Sequence, residues 1–248
     1  MNKSMLLGTW VAIFSVGCIA GGHEGSSGKL RFGQVYLFAE ATDFSSAIAV
    51  GQKMPLGLQS TTKPALLNDY DYLDGTLDVL DASSAKLEVT KLLAGQFQAV
   101  FPKAGSYTLV GKNGLVEDRL TVTAADQAGL RMAKQWYLHG TGTDTKCKPA
   151  APPEGKLPLL KSNQTLTLFV VPQSAAGVAL IGLVDLKAEA DGAVVSANAG
   201  ISAGSFSISP VSGGAATHAV ITFTDQKTRQ SLKVELDLDP AHAEPCSG

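Results

Sequence analysis

The sequence predicts an all-β protein, with a short apolar leader, a polar tether and two tandem β-sandwiches in line. Three observations carry that reading. Short runs of alternating apolar and polar residues recur along the chain, bounded by Gly, Pro, Asn and Asp turn residues. Helical periods are nearly absent, and 127–138 is the one window in which a helix competes with a strand. A chain of 248 residues is long enough for two domains of about a hundred residues, each burying its own core.

The leader comes first. Behind a single basic residue, Lys3, residues 5–20 are predominantly apolar, and Gly21 and Gly22 end the run. A membrane-crossing helix needs ~20 apolar residues, so this shorter run reads as a signal peptide. The stretch Ser15, Val16, Gly17, Cys18 resembles the lipobox of bacterial lipoproteins, with Gly17 in the small position before the cysteine and Ser15 where that family usually has Leu. The resemblance implies removal of residues 1–17, acylation of Cys18 on its sulfur and new amine, and attachment to a lipid bilayer. Two or three fatty chains hold a protein firmly where one holds it only marginally. Ile19 stands where an inner-membrane retention signal has Asp, which implies sorting to the outer membrane of a cell envelope. Ordinary cleavage after Ala20 and an uncleaved anchor are the alternatives. Residues 18–29, rich in Gly, Ser, His and Glu after the leader, read as a lipidated flexible tether.

The first folded unit is expected over 30–125, with its clearest strands at 34–40, 96–101, 107–112 and 115–123. Asn113 and Gly114 form a dipeptide favoured in tight hairpins because both residues accept positive φ. Tyr107, Leu109, Leu120 and Val122 alternate with polar neighbours, as in strands with one face on a core. The run Phe97, Phe101, Pro102, Gly105, Tyr107, Leu109, Gly114, Leu120 and Val122 resembles the closing strands of bacterial immunoglobulin-like domains. That resemblance implies an immunoglobulin-like sandwich. Residues 126–155 read as a linker or an irregular opening of the second unit. The second sandwich follows at 156–240, with strands at 164–171, 178–187, 193–197, 205–209, 217–224 and 231–238, and 241–248 is a tail.

Lys and Arg number 20 against 22 for Asp and Glu, and they are interspersed singly, so no basic face invites nucleic acid. Cys147 and Cys246 form an even pair in an exported chain and are expected to make a disulfide closing a loop of ~100 residues, worth ~4.7 kcal/mol in the chain-entropy model. Free thiols or a metal site with His139 and His242 are the alternatives, but the spacing matches no zinc pattern. No metal and no cofactor are expected.

Three constellations bear on chemistry. Gly200, Ile201, Ser202, Ala203 and Gly204 satisfy the nucleophile-elbow pattern, with Asp225 or Asp237 and then His242 downstream, but that pattern works only between a strand and a helix. Here the following residues alternate as a strand. Asp69, Asp71, Asp74, Asp78 and Asp81 offer oxygens for calcium, yet miss the calcium-loop spacing by one residue. Tyr70 with Tyr72, or Trp136 with Tyr137, supply flat faces for sugar rings, while core packing is the plainer use of Trp136. The expectation is a non-catalytic binding, adhesion or scaffolding module whose envelope protein or glycan partner is unknown. The alternatives are a carbohydrate-binding or calcium-dependent surface module and, well below it, a serine hydrolase built on Ser202.

Overall fold

The computed structural model describes residues 22–34, 44, 46–61, 72–140, 157–198 and 204–243. Every regular element among them is a β-strand. Numbered in chain order, the first unit packs the sheet β1 (Gly22–Glu24), β2 (Leu30–Gln34), β4 (Lys53–Ser60), β7 (Gln96–Val100), β6 (Val89–Leu93) against β3 (Ile48–Ala49), β9 (Val116–Ala125), β8 (Gly105–Asn113), β5 (Thr76–Leu80). The second packs β10 (Gly129–Gly140), β12 (Gln164–Gln173), β15 (Ser205–Pro210), β14 (Ala193–Ala197) against β11 (Leu160–Lys161), β17 (Ser231–Asp239), β16 (His218–Asp225), β13 (Leu186–Asp191).

The two units share one plan. In each, a two-residue strand pairs parallel to the last strand, β3 with β9 and β11 with β17, while the other ladders are antiparallel. Lettered in order, each unit sets strands A-B-E-D against A′-G-F-C, and β1 adds an extra edge to the first. This is the immunoglobulin arrangement. Alternation builds it: in β17, Val234, Leu236 and Leu238 are buried while Lys233, Glu235 and Asp237 face water. The first core gathers Phe32, Leu56, Phe97, Leu109 and Val122, and the second gathers Leu168, Phe206, Ile221, Phe223 and Leu236. Tyr107 is buried edge-on to Phe101 at 4.9 Å and its hydroxyl donates to the Lys103 carbonyl at 2.8 Å, the geometry of a tyrosine corner.

Several sequence expectations change. Residues 22–29 are not a flexible tether: β1 pairs with β2, and Asp118, pointing inward from β9, accepts backbone N–H bonds from Ser27 (2.8 Å), Lys29 (2.8 Å) and Leu30 (3.0 Å). The hairpin between β8 and β9 pairs Asn113 with Val116 and turns on Gly114 and Leu115, with φ positive at Gly114 alone. A glycine at the first central position is what a type II′ turn requires. The segment read as a linker supplies β10, whose bulge between Met132 and Trp136 breaks its alternation and so hid the strand. Residues expected as one strand at 178–187 form bridges and a loop before β13 starts at Leu186. Strands β4, β5 and β6 had no clear sequence signal, since β4 is buried along most of its length and carries Pro55 and Gly57.

The disulfide expectation is corrected. No disulfide lies among the described residues, Cys147 and Cys246 both fall outside them, and the ends of the second unit are joined without one. Leu160 pairs with Leu238, and the Ser162 N–H and hydroxyl both donate to the His242 carbonyl at 3.0 Å. Residues 1–17 and Cys18 also fall outside, and no helix among the described residues is long and apolar enough to cross a membrane.

Candidate functional site

The junction between the sandwiches holds a densely bonded polar site. Its centre is Asp225, fully buried at the end of β16. One carboxylate oxygen accepts from Thr228 Oγ1 (2.7 Å), Gln127 Nε2 (2.9 Å) and Gln52 Nε2 (3.0 Å), and the other accepts the Lys227 N–H (2.9 Å). Gln52 also donates to Gln127 Oε1 at 2.8 Å, and Gln127 donates to Gln230 Oε1 at 2.9 Å. Burial pushes the Asp225 carboxyl up, but the Thr228 hydroxyl, the Lys227 amide and Gln127 outweigh it, and the group lies below the ordinary carboxylate range. Lys227 Nζ donates to the Gly51 carbonyl, so the turn between β16 and β17 grips the turn between β3 and β4.

A second grip is apolar. Residues 179–183, between β12 and β13, lie beside the first unit: Ile181 exchanges backbone bonds with Ala47 and Ala49 at 2.9 and 2.7 Å, and the Leu183 N–H donates to Lys53 O at 2.8 Å. The Ile181 side chain is 1% exposed and belongs to the core of the first unit, not its own. The loops after B and between F and G of the second sandwich thus clasp the first. Such loops at one end of an immunoglobulin sandwich are where variable domains carry their recognition surface.

In the first unit the corresponding loops lie at the opposite end, away from the junction. There Asp74 takes the Lys91 ammonium on its carboxylate at 2.6 Å and the Asn113 amide on its carbonyl at 3.0 Å, which draws the β6–β7 and β8–β9 turns to either side of residues 72–75. Gly95 (φ 67) sits so close that a Cβ on it would fall 2.8 Å from Tyr72 Cβ. Leu92, Leu93, Leu115 and Val116 are exposed on these turns.

A third surface is the outer face of the β10-β12-β15-β14 sheet. Cross-strand rows place Tyr137, Thr167, Ser207 and Ser196 in line, and His139 beside Thr165, with Thr165 and Ser209 hydroxyls 2.9 Å apart. The Tyr137 and His139 rings are 6.3 Å apart, and partial burial holds the imidazole below its usual range, hence neutral at pH 7. Successive strand residues face opposite ways, so Trp136 packs toward the second core while Tyr137 faces out.

Of the residues singled out in the sequence, Tyr72 is bridged to Gln59 in the first unit and Trp136 lies in the second. Tyr70, Ser202, Asp69 and Asp71 fall outside the described residues. Asp78 pairs with Lys86 at 2.9 Å, and Asp81 accepts from Ser83 and Ala85, so the described acids at 78 and 81 are spent on local bonds. His242 bonds Asp239 at 2.7 Å, and Asp225 belongs to the junction. Among the described residues no group of three or more His, Cys, Asp or Glu is placed to hold a metal ion.

No family model matches the chain, and no curated protein sequence does. Solved structures resemble it only coarsely. Domains 5–6 of the S-layer protein SbsC are 17% identical, covering 79% of this chain and 94% of that one at a TM-score of 0.29. The adhesin InvE of Yersinia pseudotuberculosis is 11% identical, covering 78% and 56% at 0.28. The titin tandem A164–A165 is 9% identical, covering 81% and 96% at 0.26. The immunoglobulin arrangement rests on the strand ladders themselves, and nothing about binding is carried over from these proteins.

Proposed function

We propose that this chain is a cell-envelope protein, anchored in the outer membrane through acylated Cys18, whose two sandwiches act as a rigid, non-catalytic adhesion or scaffolding module. The observation that supports it most is the junction. A buried carboxylate shared by glutamines of both units, and a side chain of one unit seated in the core of the other, make a body that transmits position and force rather than one that flexes around a substrate. Of the two acids available to a hydrolase triad, Asp225 and Asp237, the first is consumed in that junction. Mass spectrometry of the membrane-fraction protein tests the anchor: a mature N-terminus at Cys18 with acyl mass supports it, and one at Gly21 without acyl mass overturns it. In-cell crosslinking then identifies the partner, and recovery of an envelope protein is the expected outcome.

A second reading, recognition of a neutral glycan, has an observation of its own in the Tyr137 face. An aromatic ring beside rows of hydroxyls suits stacking and hydrogen bonding to a sugar. Glycan-array binding abolished by Tyr137→Ala would favour it, and an array without signal would dismiss it.

A further inference from the structure

A sheet edge invites another chain unless a very short strand, a charge, a bulge or a cover blunts it. Among the described residues the sheet edges are blunted in these ways, with one exception. β1, β3 and β11 are only two or three residues long. β6 is irregular between Lys91 and Leu93, and β10 is bulged between Met132 and Trp136. β5 is covered, since the Leu87 N–H donates to Val79 O at 2.8 Å, and β13 carries Lys187, Glu189 and Asp191. The exception is β14, five uncharged residues at the end of their sheet, with no proline and no bulge against β15.

Which backbone groups this edge leaves open follows from its ladder. The Asn198 N–H donates to Ser205 O at 3.0 Å, and opposed residues of an antiparallel pair alternate between exchanging bonds and not. Val194 and Ser196 therefore bond to β15 as Asn198 does, while Ala193, Val195 and Ala197 turn their N–H and C=O groups away from it. Those three positions are symmetric about Val195. A second copy laid antiparallel, with Val195 opposite Val195, sets Ala193 opposite Ala197 at each end, and each opposed pair exchanges both of its bonds. Every outward group of β14 then meets its counterpart, and no like charges are opposed. Val194, 53% exposed on the outer face, comes opposite Ser196 of the second copy and loses water there.

We propose that this chain pairs with a second copy of itself through β14, joining two β10-β12-β15-β14 sheets edge to edge about a two-fold axis. The axis stands perpendicular to the sheet, so both outer faces stay on one side. The row through Thr167, Ser207 and Ser196 then runs on across the seam to Val194 and Ser209 of the second copy. The pairing does not depend on the anchor proposed above.

Full-length protein in mild detergent, followed by sedimentation equilibrium from about 1 µM to 1 mM, tests it together with residue-resolved hydrogen exchange at both ends of that range. The protein mass is expected to double. The amides of Ala193, Val195 and Ala197 should slow about tenfold as about nine chains in ten pair, while those of Val194 and Ser196, already bonded to β15, hold constant. Ala197→Pro removes an outward N–H without touching the β15 ladder, so it should keep its circular dichroism and melting temperature and stay monomeric. If that variant does not fold, Val194→Lys reads the same property: two like charges across the seam should weaken dimerisation severalfold at low salt, and added salt should restore it. A monomer at every concentration overturns the proposal. So does a dimer whose three outward amides exchange as fast as in the monomer, or one that Ala197→Pro and Val194→Lys leave intact.

Discussion

Asp118 shows how one residue can decide where folded structure starts. Its carboxylate satisfies three backbone N–H groups of residues 27–30, and Gly25 leaves it room, since a Cβ there would lie 2.3 Å from Asp118 Cγ. Asp118→Ala should destabilise the first unit by about 2 kcal/mol, measured by urea denaturation, because buried donors lose their acceptor. Gly25→Ala should cost a similar amount in the wild type and much less in the Asp118→Ala background, as expected of side chains competing for one space. Burial raises the Asp118 carboxyl, but the bonds from Ser27, Leu30, Arg119 and Lys29 lower it further, so it ionises well below its ordinary 3.8. The unfolded chain therefore binds a proton more readily than the folded one, and Asp118 stabilises fully above about pH 5 and less as the pH falls through about 4 and below. Asp118→Asn should flatten that part of the melting profile relative to wild type, and parallel profiles would contradict this account. None of it was legible in the sequence, where Asp118 is one scattered charge about ninety positions from its partners. Trp136 and Tyr137 were legible as aromatics, but their opposite faces emerge only once β10 is known to be a strand.

Among the elements, those with strict alternation were read correctly from sequence. β15, β16, β17 and β7 fall within one residue of the positions expected, and β8 and β9 within two. Elements that escaped are those for which alternation is not the deciding force. β4 is buried on both faces, β10 is bulged, and residues 179–183 are apolar because another sandwich covers them rather than because they form a strand. That last segment yields a sharp prediction. Ile181→Ala removes a side chain of the second unit from the core of the first, at about 2–5 kcal/mol for a large-to-small core change. Hydrogen exchange should therefore report loss of protection in β4, β7 and β9 of the first sandwich, and loss confined to the second would contradict the assignment. Gly114→Ala places a Cβ at φ 57 in the β8–β9 turn and should destabilise by about 1 kcal/mol in thermal melts, because a left-handed turn position favours glycine.

For the whole molecule, composition and turn spacing disclosed two sandwiches but not that they form one body. The junction is built from residues far apart in sequence, Gln52, Gln127 and Asp225, whose types mark no motif. The Asp225 network, together with Ile181, fixes one sandwich against the other. The wild-type chain should unfold in a single calorimetric transition, and Asp225→Ala with Ile181→Ala should split it in two. The most direct measurement is of backbone residual dipolar couplings in weakly aligned protein. A single alignment tensor fitting the amides of both sandwiches is the result this account predicts, and two independent tensors, as for domains turning about a linker, would contradict it.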